Sequence, residues 1–119
     1  NRRTMTVRIY HNPRCSKSRQ TLNILEEQSA SPEVIEYLKT PPDEETLTGL
    51  LDMLGLEPRE LMRKKEKEYK ESGADNTDLS REQLIALMVQ YPKLIERPIV
   101  VSKGRAVIGR PPESVLDIL

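Results

Sequence analysis

The stretch TVRIYHNPRCSKSRQTLNILEEQ, residues 6–28, contains two periodicities from which local structure can be inferred. TVRIY has an alternating pattern with β-branched Val7 and Ile9 on one face, which is typical of a strand over residues 6–10. A loop over residues 11–16 follows, and the remaining residues are good helix formers with two leucines on one face. The stretch therefore predicts a strand, a loop and a helix, with Cys15 at the beginning of the helix.

Segments further along the chain extend this pattern. VIEYL predicts a second strand over residues 34–38, and two β-branched runs, residues 98–102 and 105–108, are separated only by Lys-Gly. That spacing is typical of an antiparallel hairpin. The segment PPESVLDIL, residues 111–119, predicts a closing helix with proline near its first turn.

The region between the second strand and the hairpin predicts helices. Thr40 is placed to cap the first of them, and Gly55 is placed to end it. A charged stretch follows, which is typical of a solvated face, and Ser80 with Gln83 then forms a capping box for a later helix. The apolar stripe of the first helix consists of Leu47, Leu50, Leu51 and Leu54.

The order of these elements predicts an α/β fold. A parallel strand pair joined by a helix, followed by a hairpin and a helix, is the plan of a thioredoxin-like domain. We therefore expect a single thioredoxin-like β-α-β…β-β-α domain over residues 1–119, a length that suits one compact domain. A helical insertion over about residues 43–91 is expected between the second and third strands.

Composition excludes several classes of function. Lys plus Arg number 19 and Asp plus Glu also number 19, so the chain has no cationic surplus for nucleic acid. One cysteine excludes an intramolecular disulfide and a cysteine-rich zinc site, and it suits a reducing compartment. We expect a cytoplasmic protein without a signal peptide, a membrane span, a bound metal or a nucleic-acid partner.

Cys15 is the candidate nucleophile. A helix N-terminus carries about half a positive charge and orphan N–H donors, and both stabilise a thiolate. Nearby cationic side chains add positive potential, while polar and turn-forming neighbours argue against Cys15 as a buried, inert residue. The side chains that supply this potential are His11, Arg14, Lys17 and Arg19.

Two alternative thiol chemistries are disfavoured by residue positions. In a dithiol C-x-x-C loop the second cysteine would stand at position 18, where this chain has Ser18, so a resolving thiol must come from another molecule. Low-molecular-weight tyrosine phosphatases place an arginine six residues after the cysteine, where this chain has Thr21.

Ser18 is a candidate to hydrogen-bond the sulfur or to cap the helix. His11, the only histidine, either lowers the thiol pKa or structures the loop.

Five sequence blocks in order resemble the glutathione- and glutaredoxin-coupled arsenate reductases. They are YHNPRCSKSRQTL, YLKTPP, LMRK, ERPIVV and GRPPESVLDIL, and together they span residues 10–119. The resemblance implies a thioredoxin-like fold with a helical insertion and a nucleophile at Cys15. It also implies that Pro98 is the cis-proline facing the thiol, and that three arginines bind the oxyanion: Arg63, Arg97 and Arg110.

The resemblance further implies the reaction. Arsenate would be reduced to arsenite through a Cys15–arsenic adduct that glutathione and glutaredoxin resolve, with glutathione as cosubstrate and no bound cofactor. Arginine suits this task because its planar, permanently charged guanidinium matches oxyanions. Two alternatives remain: a glutathione-dependent thiol reductase of unknown substrate, and a non-catalytic regulator with the same fold.

Overall fold

A four-stranded mixed sheet organises the computed structural model, which describes residues 7–28 and 30–119. The strands are β1 (Val7–His11), β2 (Glu33–Glu36), β3 (Ile99–Ser102) and β4 (Arg105–Ile108). Their order is β2-β1-β3-β4, with β1 parallel to β2 and antiparallel to β3, and with β3 antiparallel to β4. The predicted strand pairing is thus observed. Residue 6, where the first strand was expected to begin, lies outside the described residues.

Five α-helices and two 3₁₀-helices are present among the described residues. The α-helices are α1 (Ser16–Glu27), α2 (Glu44–Leu54), α3 (Pro58–Leu61), α4 (Lys67–Glu71) and α5 (Arg81–Gln90). The 3₁₀-helices cover Pro92–Leu94 and Pro112–Ile118. Within the described ranges, no helix has the length and apolarity that crossing a membrane requires.

The closing helix differs in type from a standard α-helix. Ser114 N–H donates to Pro111 O, three residues back, which is the 3₁₀ pattern. The buried residues of this segment, Pro112, Val115 and Ile118, are also three apart. Side chains three apart eclipse one another in a 3₁₀-helix, so this winding places all three on the same buried face.

Two predicted boundaries were wrong. The second strand, expected over residues 34–38, ends at Glu36, because the N–H groups of Lys39 and Thr40 both donate to Glu36 O and form a turn. Thr40 does not cap α2. Asp43 does, since its Oδ1 accepts from Thr46 N–H at 2.8 Å. Thr40 precedes two prolines, which disfavour helical backbone in the residue before them and delay the start of the helix.

The described chain comprises two compact units. The first contains the sheet, α1 and the closing 3₁₀-helix, and the second covers Pro41–Glu96. In the first unit, Ile9 of β1 is paired with Val100 of β3, and both are fully buried with Leu25 of α1 and Val115. This core fixes α1 against the sheet and thereby fixes the end of the helix at which Cys15 lies.

The second unit contains α2 to α5. Leu47, Leu50 and Leu51 of the predicted stripe are buried, and Gly55 ends α2 with a left-handed φ of 70°. The predicted capping box of Ser80 and Gln83 is present at α5. The description of residues 1–119 as one domain with an insertion over residues 43–91 stays a prediction.

Candidate active site

Cys15 is the N-cap residue of α1, in the place that the sequence predicts. Its backbone is extended, with φ −95° and ψ 123°, and its carbonyl accepts from Arg19 N–H at 3.0 Å to begin the helix. Its own N–H donates to Asn12 O at 3.0 Å, which closes the preceding loop. The side chain is half-buried, so the sulfur is held in a fixed place without being sealed from solvent.

The Cys15 sulfur lies among groups that favour its anionic form. Burial is the largest single influence and raises the pKa of the thiol. The backbone N–H of Ser18, the positive charge of Arg97, the hydrogen bond from Arg110 and the backbone N–H of Lys17 act against it. The combined effect of these four groups exceeds that of burial, so the pKa of Cys15 is lowered. Cys15 is therefore more readily ionised than an ordinary cysteine.

Two of the three predicted arginines lie at this sulfur. Arg110 Nη1 donates to Cys15 Sγ at 3.9 Å and also to Arg97 O at 3.0 Å. Arg97 is half-buried, whereas Arg110 is exposed. Each precedes a proline in a cis peptide bond, Arg97–Pro98 and Arg110–Pro111, and the cis form of Pro98 agrees with the resemblance. The structure therefore brings together a thiol, a directly bonded guanidinium and a second positive charge.

Arg63 belongs to the second unit. Its Nη1 lies 2.8 Å from Glu66 Oε2, its Nε lies 3.7 Å from Glu96 Oε1, and its backbone N–H donates to Leu94 O. The side chain is about one quarter exposed, so these carboxylates restrain the guanidinium. A role for Arg63 in oxyanion binding stays a prediction.

Ser18 and His11 form a buried pair beneath the loop. Ser18 is fully buried, and its Oγ lies 2.6 Å from His11 Nδ1. The same oxygen accepts from Asn12 N–H at 3.0 Å. Because burial lowers the pKa of His11, we assign a neutral imidazole whose Nδ1 accepts the Ser18 hydroxyl proton. This geometry favours the loop-structuring role for His11, and the Ser18 hydroxyl bonds the imidazole instead of the sulfur.

His11 makes stability depend on pH in a stated direction. Its folded pKa is lowered by burial, so the unfolded chain takes up a proton at a higher pH than the folded chain. We expect the free energy of unfolding to fall as the pH drops below about 6.5, by less than about 1.4 kcal/mol per pH unit. Urea denaturation at several pH values measures this dependence. If the free energy of unfolding of His11→Gln changed with pH as steeply as that of the wild type, the prediction would be contradicted.

Asn12 has a structural role that the sequence analysis did not assign. Its backbone N–H donates to Ser18 Oγ, its carbonyl accepts from Cys15 N–H, and its Oδ1 accepts from Arg14 N–H at 3.0 Å. The last bond is the Asx turn for which asparagine before proline is a known signal. The Asn12–Pro13 pair could thus have identified the turn that presents Cys15.

The described residues contain no cluster of three or more His, Cys, Asp or Glu side chains that could hold a metal ion. The groups at Cys15 provide the chemistry of an activated thiolate beside guanidinium groups. Such a site can attack an electrophilic oxyanion, since the cations offset the repulsion between two negative charges.

A family model and several known proteins are similar to this chain. The family model described as ArsC family matches residues 10–118, almost the whole chain. The chain belongs to the ArsC family. An arsenate reductase from Neisseria meningitidis is 46% identical over 114 residues, covering 95% of this chain and 97% of the relative.

Two further comparisons extend the ArsC family assignment. The solved structure of an arsenate reductase from Vibrio cholerae superimposes with a TM-score of 0.94 at 55% identity, covering 98% of this chain and all of that chain. A protein of Escherichia coli K12, YfgD, whose function is uncharacterised, is 59% identical over 117 residues, or 98% of each chain. The thioredoxin-like α/β fold expected from the sequence is thereby confirmed for this ArsC member.

Proposed function

We propose that this ArsC-family protein is an enzyme that reduces arsenate to arsenite through an adduct on Cys15. Family membership and relatives named arsenate reductase support the reaction. The observation that carries the proposal is the contact of the Arg110 guanidinium with Cys15 Sγ, with Arg97 adding positive charge. This arrangement suits an anionic nucleophile that must approach an anionic substrate.

The first step is attack of the Cys15 thiolate on arsenic(V). An arsenate oxygen leaves as water after taking up protons, and a sulfur–arsenic bond forms. Guanidinium groups hold the remaining oxygens and offset their charge. Arg97 and Arg110 supply these groups at the sulfur, and Arg63 is proposed as the third on sequence resemblance alone.

The next steps transfer two electrons from two external thiols to arsenic. Glutathione forms a second sulfur–arsenic bond as another arsenate oxygen leaves as water, and a glutaredoxin thiolate then removes the glutathionyl sulfur as a mixed disulfide. The electron pair of the broken arsenic–sulfur bond stays on arsenic, which becomes arsenic(III). Water then displaces arsenite and returns the Cys15 thiol.

The need for external thiols rests on position 18. Cys15 is the only cysteine of the sequence, and Ser18 stands where a dithiol loop would place its second thiol. We therefore propose glutathione as cosubstrate, glutaredoxin as partner and no tightly bound cofactor. A reducing cytoplasm would keep the single thiol available.

A coupled assay tests the reaction and its reductant separately. We expect arsenate to cause NADPH oxidation when glutathione, glutaredoxin and glutathione reductase are present, and omission of glutaredoxin to bring the rate to background. Thioredoxin with thioredoxin reductase should not replace them. Full activity with thioredoxin would contradict the glutaredoxin coupling alone. Absence of arsenate-dependent oxidation with either system would contradict arsenate reduction.

A further inference from the structure

Thr21 lies six residues after Cys15 and is fully buried in the middle of α1. Together with Ser18 and Leu25 it forms the buried face of this helix. Its Oγ1 lies 2.8 Å from Lys17 O, one helical turn back, and 3.4 Å from Gly109 O. The hydroxyl proton is therefore satisfied within the helix, and the remaining surface of the side chain faces Gly109.

Gly109 leaves no room for a side chain at this contact. A Cβ built on Gly109 would lie 2.5 Å from Thr21 Oγ1, 3.0 Å from Thr21 Cγ2 and 2.9 Å from Pro98 Cγ. Its backbone N–H donates to Pro98 O at 2.9 Å, so Gly109 and Pro98 are also joined directly. Glycine is required here by close approach of three chain segments.

The residues next to this contact are the charged groups of the candidate active site. Arg110 follows Gly109, and Arg97 precedes Pro98. Thr21 belongs to the same rigid helix that has Cys15 as its N-cap. Any increase in the separation of Thr21 from Gly109 would therefore move both arginine-bearing segments relative to the sulfur, since packed interiors transmit such displacements.

We propose that Thr21 and Gly109 are positioning residues, whose close contact sets the distances from Cys15 to Arg97 and Arg110. The inference rests on the proposed function only for the identity of the oxyanion. The effect of the contact on the reactivity of Cys15 can be measured without arsenate.

The test measures the rate of Cys15 alkylation by iodoacetamide as a function of pH. The thiolate is the reacting species, so the rate at neutral pH reports how strongly the two arginines stabilise it. We expect Gly109→Ala to lower this rate at about pH 7 by about threefold or more. At a pH where the thiol is fully ionised, the rate should match that of the wild type. Because an unfolded chain would also carry an ordinary thiol, circular dichroism must show that the variant is folded before its profile is compared with that of the wild type.

A second substitution tests the contact itself. Thr21→Ala removes both Thr21 atoms that the new Cβ would meet, so the double variant should recover at least about half of the loss seen in Gly109→Ala. Thr21→Val keeps the branched shape at the contact and removes only the hydrogen bonding of Oγ1 to Lys17 O and Gly109 O, so it is the control for shape and should leave the profile within about twofold of the wild type. Additive losses in the double variant, or an unchanged profile in folded Gly109→Ala, would overturn the proposal.

A third variant covers the case in which Gly109→Ala fails to fold. Thr21→Ile adds bulk from the helix side of the same contact, and we expect it to lower alkylation at neutral pH in the same direction. An alkylation profile of Thr21→Ile equal to that of Thr21→Val would reject the positioning role. If the wild-type protein fails to reduce arsenate while these thiol measurements hold, the proposed function fails and the positioning role stands.

Discussion

Replacing Cys15 with serine is expected to lower arsenate-dependent NADPH oxidation by about 10⁴-fold or more, because removal of a nucleophile eliminates the covalent step. A serine hydroxyl at this position would stay protonated, since its pKa lies far above that of a thiol. The backbone donors and guanidinium groups around the sulfur would remain in place. The measurement is the coupled assay with glutathione and glutaredoxin in excess.

The same variant provides its own control for folding and binding. Because Cys15 is half-buried and caps α1 through its backbone, we expect the melting temperature of Cys15→Ser to stay close to that of the wild type. Millimolar arsenate should still raise that temperature through binding to the arginines. Arsenate turnover within tenfold of the wild type would exclude Cys15 as the nucleophile.

Arg97→Ala is expected to lower kcat/KM for arsenate by about 10²-fold or more, the usual cost of losing one oxyanion donor. The loss should be much larger than for a neutral disulfide substrate, which carries no oxyanion to bind. Loss of the Arg97 charge would also raise the pKa of Cys15 and slow both reactions at neutral pH. Comparison at a pH where the thiol is ionised removes this shared effect and isolates oxyanion binding.

Two variants control for charge alone. Arg97→Lys keeps the positive charge without the planar fork, so we expect an activity between those of Arg97→Ala and the wild type. Arg105 is an exposed arginine of β4 in the same unit, and Arg105→Ala should change kcat/KM by less than about threefold. Equal losses for arsenate and the neutral disulfide in Arg97→Ala would favour the alternative of a general thiol reductase.

Local patterns were sufficient to predict much of the fold. Alternation of β-branched residues identified β1 and the hairpin, and the glycine at position 55 identified the end of α2. The prediction that Thr40 caps α2 was wrong. Threonine is a good cap in general, but the two prolines after Thr40 determine where this helix can begin. The buried residues of the closing segment are three apart, a spacing that is visible in the sequence and suits a 3₁₀-helix.

In the candidate site, too, local features could be predicted from the sequence, whereas a contact between distant residues could not. The position of Cys15 could be predicted because a helix start is a local feature, whereas Arg97 and Arg110 were candidates because of the family resemblance. The contact between Thr21 and Gly109 joins residues 88 positions apart, so no local pattern encodes it. Contacts between residues so far apart in the sequence can be identified only from the folded structure.

Both ends of the first unit's chain contribute groups that lower the pKa of its thiol. A nascent polypeptide that has been translated only as far as Glu96 contains Cys15 but neither Arg97 nor Arg110. It also lacks Val115, which packs with Leu25 to hold α1 on the sheet. During synthesis on the ribosome the charge of Arg97 and the hydrogen bond from Arg110, two of the influences that lower the pKa of Cys15, are therefore absent until these segments have emerged.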